Sequence, residues 1–252
     1  MLCSCALAAI HQSEAILLRT WPFAEADLLV SFFTREQGVV RGVARHAMRS
    51  RRRFGGALEP MTEVRATWAE KPKQDIVRLD QLEILWSPMR EPVDFARATG
   101  LALVAEVLEA ALPDRAPEDD VYRLALAVAK RMRGDNVFLP ATYFLLWINR
   151  LLGWMPDLSR CAVSGAPLRG HDAYFTPVRE GLFAAQARPQ GSVPLSAESC
   201  RLAEEMFRQP IMAFEGQAWP RGRAADLRRF AGSTLERHLE ERLQSLRMLA
   251  KL

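Results

Sequence analysis

The residues with the most distinctive chemistry are arginines. Between Arg41 and Gly56 the chain carries Arg41, Arg45, Arg49, Arg51, Arg52 and Arg53, six guanidinium groups in sixteen residues with no carboxylate among them. Charges at this density repel one another, so a polyanion is their natural counter-charge. The planar fork of arginine meets phosphate oxygens in pairs, which a lysine ammonium does not. An alternating apolar segment leads into the run and Gly55-Gly56 closes it, so the sequence reads as a nucleic-acid contact loop between two strands. Arg35 extends the basic stretch upstream to seven arginines against Glu36 alone. Lys71 and Lys73 lie in a predicted hairpin, Glu70-Lys71-Pro72-Lys73-Gln74-Asp75, and would lengthen the same groove. A second cluster, Arg221, Arg223, Arg228 and Arg229, falls at the predicted start of the last helix, where cations oppose the helix dipole. A second strand of nucleic acid would account for it, and so would a solvated face paired with Asp226.

The chain lacks the spacings that catalysis needs. It has no G-x-x-x-x-G-K-[ST] cradle for a nucleotide, no H-E-x-x-H and no G-x-S-x-G elbow. His11, His46, His171 and His238 stand in unlike contexts; His46 and His238 read as surface residues. Glu118-Asp119-Asp120 follows Pro117 and reads as the acidic first turn of a helix rather than as a nuclease cluster. The chain is therefore expected to be a binding protein, not an enzyme, with no cofactor.

These residues must be held by two kinds of element. From Glu14 to about Trp86 the pattern is of short β-rich runs: Ile16–Leu18, Leu28–Phe33, Val39–Val43, Val64–Trp68, Ile76–Leu79 and Leu82–Trp86. Five or six such strands suggest a small closed barrel. Phe54 and Trp68 are stacking candidates on it, although packing inside the barrel explains them as well. Pro88 and Pro92 mark the exit, and helical periodicity follows: around Leu101–Leu112, from Pro117 to Met132, and from Pro140 to a stop at Gly153. After an irregular, Gly-, Pro- and Arg-rich stretch from Asp157 to Val193, helices are predicted from Ser196 to Arg208 and from Ala224 to Met248.

The whole chain has 252 residues, 49% hydrophobic and 25% charged, with a formal charge of +4 that is concentrated locally. No apolar run approaches the ~20 residues that span a bilayer, so no membrane association is expected. Met1–Ile10 is apolar without a basic start, which argues for a mis-called start or a leader rather than a secretory signal. Cys3, Cys5, Cys161 and Cys200 show no disulfide spacing, as expected in a reducing cytoplasm.

The order of segments carries a resemblance. Glu14-Ala15-Ile16-Leu17-Leu18-Arg19, Glu25-Ala26-Asp27-Leu28-Leu29-Val30, Phe33-Thr34-Arg35-Glu36-Gln37-Gly38, the arginine loop and Phe54-Gly55-Gly56-Ala57-Leu58-Glu59-Pro60 resemble the amino-terminal part of the bacterial recombination mediator family RecO. The likeness continues through Gly153-Trp154-Met155-Pro156-Asp157, a lone Cys161, and the terminal Leu227-Arg228-Arg229, Leu235–Leu239 and Arg242–Ser245. It implies an α+β chain: an OB-fold β-barrel over 14–87 that binds DNA, then an all-helical domain over 88–252 with an inserted zinc-ribbon-like lobe at about 157–193. Residues 1–13 would be a leader or disordered.

The resemblance also implies non-catalytic work on single- and double-stranded DNA. The family binds and anneals single strands and acts with RecR to load RecA onto strands coated by single-strand-binding protein. Many members carry two C-x-x-C pairs in the lobe. Here only Cys161 remains of the first, and Ala184 and Ala187 stand where the second should fall, so no metal is expected. Leu158, Val163, Leu168, Tyr174, Phe175 and Phe183 would hold the lobe instead. Contact with the acidic, aromatic-ended tail of single-strand-binding protein would need an apolar pocket with a basic rim. Arg123–Arg133 and Tyr143–Arg150 offer those ingredients, although an apolar stripe at helical spacing also reads as core. Two alternatives stay open on the residues alone: an RNA-binding barrel, and a protein–protein adaptor whose arginines meet an acidic partner.

Overall fold

The computed structural model describes residues 8–252, with the side chains of Arg51 and Arg52 excepted. The expectations for residues 1–7, including Cys3 and Cys5, lie outside the described residues. Two compact units are present: one joins the chain up to Asp94 with Leu101–Ala129, the other joins Phe95–Gly100 with Lys130–Leu252.

In the first unit, five strands pair in the order β1-β2-β3-β5-β4 and close on themselves. They are β1 (Ala9–Pro22), β2 (Leu28–Thr34), β3 (Gly38–Ala44), β4 (Glu63–Glu70) and β5 (Ile76–Trp86). All pairings are antiparallel except β3 with β5. The interior is filled by alternating residues of each strand: Leu17, Val30, Phe32, Val40, Val64, Trp68, Val77 and Leu79 are all buried. Burying each such side chain contributes about 1.5–3 kcal/mol. The β2–β3 turn needs its glycine: Gly38 has φ +69°, and a Cβ there would lie 2.1 Å from the Ala116 carbonyl oxygen.

Ala9–Ser13 was expected to belong to a leader, but it is strand, paired with Glu70–Ala66 of β4. Its residues face outward on one side, so the hydrophobic run that marks a buried strand starts only at Ala15. The last strand is also longer than two short runs: Ile76 to Trp86 is one 11-residue element.

The unit also takes in residues 101–111 of α2 (Phe95–Ala111) and all of α3 (Asp119–Ala129). The sequence expectation ended the barrel module at residue 87. Grouped by contact, the compact unit adds Leu101–Ala129 to that module. Ser31 Oγ donates to Glu109 Oε2 at 2.5 Å and Arg115 N–H donates to the Val39 carbonyl at 3.0 Å, which ties this segment to the barrel.

The second unit contains α4 (Phe138–Leu151), α5 (Ala197–Met206), α6 (Ala225–Leu239) and α7 (Gln244–Leu249). Ser196 caps α5 as predicted, accepting from the Ser199 N–H at 3.2 Å. The expected irregular stretch contains a small sheet of order β7-β6-β8, from β6 (Ala173–Thr176), β7 (Arg179–Phe183) and β8 (Val193–Leu195). Strands of three to five residues, one of them carrying Pro194, are too short to show a period.

The predicted last helix is two. Glu240 takes a left-handed conformation (φ 54°) after α6, and the Leu243 N–H turns to Glu236 Oε1 at 2.9 Å. Glu236 and Glu240 would repel one another at i,i+4, and Gly232 lets Leu246 fold back onto α6, since a Cβ there would lie 2.5 Å from Leu246 Cδ2. No described helix is long and apolar enough to cross a membrane.

Candidate nucleic-acid interface

The arginine loop begins where β3 leaves the barrel and is braced against the β1–β2 loop. Asp27 Oδ1 accepts from the His46 N–H at 2.7 Å, which suits the left-handed backbone of His46 (φ 55°). The Met48 N–H donates to the Ala26 carbonyl at 3.3 Å. Arg53 closes the loop from within: Nη2 donates to the Arg45 carbonyl at 2.8 Å and Nε to Ser50 Oγ at 3.2 Å. Its guanidinium lies 5.1 Å from the centroid of buried Phe54. The residues from 51 to 54 form a single helical turn, α1. The loop is thus a built structure, not a slack basic run.

The predicted cations divide by what already holds them. Arg35 Nε meets Asp119 Oδ1 at 2.7 Å and its Nη1 meets Glu14 at 3.5 Å, so hydrogen bonding and charge from Asp119 raise its pKa further. Arg41 is taken up by Glu109 at 3.2 Å and by Asp114. Arg49 has only Glu25, at 3.5 Å, and both groups are largely exposed, so the pair is worth little. Arg45, Lys71 and Lys73 are exposed, and no described carboxylate pairs with them. The side chains of Arg51 and Arg52 lie outside those described.

Beside the loop, a groove of about 410 Å³ runs between the β1–β2 loop and the β4–β5 turn. Arg45, Lys71, His46 and Arg78 line it together with Phe23 and Ile76. Arg78 is held by Asp80 at 2.7 Å. Phe23 (56% exposed) was not singled out from the sequence. Its signal was present, an aromatic next to Pro22 in a short loop where no core strand can use it. The two aromatic candidates that the sequence offered are both interior. Phe54 is 2% and Trp68 0% exposed, and Trp68 packs edge-on against Phe32 at 5.6 Å.

The second cluster is corrected at Arg228. This residue is 7% exposed; its Nη1 donates to the Arg223 carbonyl at 2.7 Å and to Thr142 Oγ1 at 3.1 Å, and its Nη2 to the Arg221 carbonyl. The guanidinium stacks 4.7 Å from the Phe138 centroid. Burial lowers its pKa to about 10, against the attraction of Asp226. Arg228 stitches the start of α6 to α4 and has no reach left for phosphate. Arg229 does remain exposed. It lines a cavity of about 380 Å³ with Arg242, Arg247, Phe138, Phe175 and Leu246, an apolar floor with a largely basic rim in which Glu236 holds Arg242 at 2.9 Å. By contrast Tyr143, Leu145, Leu146 and Ile148 of the stripe proposed for a peptide tail are buried core.

In the lobe, Cys161 is buried, and its sulfur accepts from the Ala184 N–H at 3.3 Å. Burial pushes the thiol up, but hydrogen bonds from Ser164 and the Ala184, Ser164 and Val163 N–H groups prevail and bring it down to about 7. A zinc site needs four thiolate or imidazole donors. The turn facing Cys161 supplies only Ala184 and Ala187, so the residues present do not fit the metal. Leu168, Phe175 and Phe183 are buried as expected; Val163 is 57% exposed and holds nothing. His238, expected on the surface, is half-buried and stacked on Trp154 at 5.1 Å, and burial lowers its pKa.

A small closed barrel with basic side chains along one groove is an architecture that oligonucleotide-binding proteins share. Comparison with known families narrows the class. The family described as Recombination protein O N terminal matches residues 8–88, and Recombination protein O C terminal matches residues 92–247. The DNA repair protein RecO of Koribacter versatilis (strain Ellin345) is 50% identical over 243 residues, 96% of this chain and 99% of the relative. That of Anaeromyxobacter sp. (strain K) is 32% identical over 94% of each chain. The chain belongs to the RecO family, DNA-binding proteins of DNA repair and recombination.

Proposed function

We propose that the chain is a non-catalytic recombination mediator of the cytoplasm, which binds and anneals single-stranded DNA. With RecR, it would help load RecA onto strands coated by single-strand-binding protein. The barrel is then an OB-fold, and the sheet-bearing lobe is a zinc-ribbon-like module that has lost its ligands. The observation that carries this reading is the braced loop around Arg45 and Arg49, which presents cations beside an open groove while no described carboxylate meets Arg45. Sequence-independent affinity follows from phosphate neutralisation. Arg51, Arg52, Lys71 and Lys73 extend the contact; Arg35 and Arg41 join only if their carboxylates yield. Double-stranded DNA would meet the same cations.

The cavity rimmed by Arg229 and Arg247, beside an Arg242 already held by Glu236 at 2.9 Å, has the chemistry that an acidic, aromatic-ended tail requires, which supports placing the tail of single-strand-binding protein there. Annealing of two complementary oligonucleotides, followed by fluorescence transfer, tests the reading. The wild type should accelerate it, and a variant with Arg45, Arg49, Arg51 and Arg52 changed to alanine should not. Equal acceleration by both would remove the loop from the mechanism. Stronger binding to RNA than to DNA of equal length would favour an RNA-binding barrel. Retained nucleic-acid affinity in the variant, with loss of a protein partner, would favour an adaptor.

A further inference from the structure

Phe23 is a large aromatic ring left more than half exposed. A single exposed aromatic is ordinary, but three observations coincide around this one. First, its loop is fixed: the Phe23 N–H donates to the Asp27 carbonyl at 3.1 Å, while the Asp27 side chain holds His46. The ring is therefore presented, not folded onto the core. Second, it lines a groove of about 410 Å³ with Ile76, another large apolar side chain left exposed, while Asp27 on the same groove is held by the His46 N–H. Third, Arg45 and Lys71, which no described carboxylate meets, stand on the same groove.

An apolar face flanked by unpaired cations matches one ligand chemistry closely. An unpaired nucleotide has a π-face that stacks on an aromatic ring and a phosphate that seeks a cation. In a duplex the π-faces are covered by neighbouring pairs, so only a single strand can offer one. We propose that this groove is a nucleobase subsite, in which one unpaired base of a single strand stacks on Phe23 and its flanking phosphate is met by Arg45 or Lys71. The proposal rests on the reading of the barrel as the DNA-binding module and adds to it the means of telling single strands from duplex.

The test uses the full chain, a single-stranded oligonucleotide and the duplex of the same length, with Phe23→Ala, Phe23→Trp and Arg45→Ala/Lys71→Ala. Phe23→Ala should lose about tenfold in affinity for the single strand, with an unchanged salt slope and unchanged duplex binding. Phe23→Trp should retain wild-type binding. Photo-crosslinking with an iodouracil-substituted strand should attach the base to the peptide that carries Phe23. If Phe23→Ala binds both DNAs as the wild type does while the Arg45/Lys71 variant weakens, the subsite is overturned and the electrostatic contact stands. Equal weakening on single strand and duplex would overturn the subsite too. Absence of salt-dependent DNA binding by the wild type would overturn both the subsite and the reading on which it rests.

Discussion

Arg45, at the mouth of the barrel, stands exposed with no described carboxylate against it, whereas Arg228, on the first turn of α6, has its guanidinium filled by two carbonyls, a threonine hydroxyl and an aromatic face. Both come from arginine-rich stretches of similar density. What separates them is what the fold brings to each from far along the chain. The barrel holds its loop by backbone bonds to Asp27 and Ala26, which leaves charge over for a ligand. The start of α6 spends the charge of Arg228 on holding itself to α4. Local charge density therefore marks where a polyanion is attracted only when the structure has not already used the cations.

Substitutions sharpen this contrast, the largest effect first. Arg228→Ala leaves buried acceptors without a donor and should cost about 3 kcal/mol of stability, read as a lower urea midpoint, while the folded fraction still binds DNA. Arg45→Ala should do the reverse, with stability inside about 0.5 kcal/mol of wild type and weaker binding. If Arg228→Ala lost DNA affinity and kept its stability, the division between the clusters would be wrong.

Asp27→Ala removes the acceptor that fixes His46 and should cost about 1 kcal/mol. A loosened loop should also bind single strands about threefold less tightly, which is about 0.65 kcal/mol. Paired Glu109→Gln and Asp114→Asn exchange would release Arg41. Affinity should rise a few-fold, and the salt slope should steepen by about 0.7, the value of one added phosphate contact.

The smallest effect concerns Cys161, a buried thiol that accepts from the Ala184 N–H. Its thiol is depressed in the folded state to about 7 from an ordinary 9.0, so the thiolate contributes stability that is complete above pH 9 and lost as pH falls through 7. The difference in melting temperature between wild type and Cys161→Ser should widen from pH 7 to pH 9 and be smallest below 7.

The barrel was legible in the sequence because period-2 alternation in runs such as Val64–Trp68 survives any tertiary detail. Helix ends with a chemical signature were legible too, Ser196 and Gly153 among them. Less was visible where distant residues decide the outcome. Ala9–Ser13 is strand because β4 offers it an edge, and the α6–α7 break depends on Gly232 admitting Leu246. The interface divides in the same way. The basic loop is local in sequence, but the carboxylates on Arg35 and Arg41 come from Glu14 and from residues 109–119, far from them along the chain. Phe23 belongs to no periodic run, and only its place beside Pro22 in a short loop marks it.

The most direct test of the arginine loop is a fluorescence-anisotropy titration of a labelled single strand at several salt concentrations. The wild type would be compared with the variant in which Arg45, Arg49, Arg51 and Arg52 are alanine. If all four reach phosphate, the wild-type log–log slope should be on the order of −3, at about −0.7 per contact. The variant should lose most of both the slope and the affinity. Identical slopes and affinities for the two proteins would contradict the account and move the DNA contact elsewhere in the molecule.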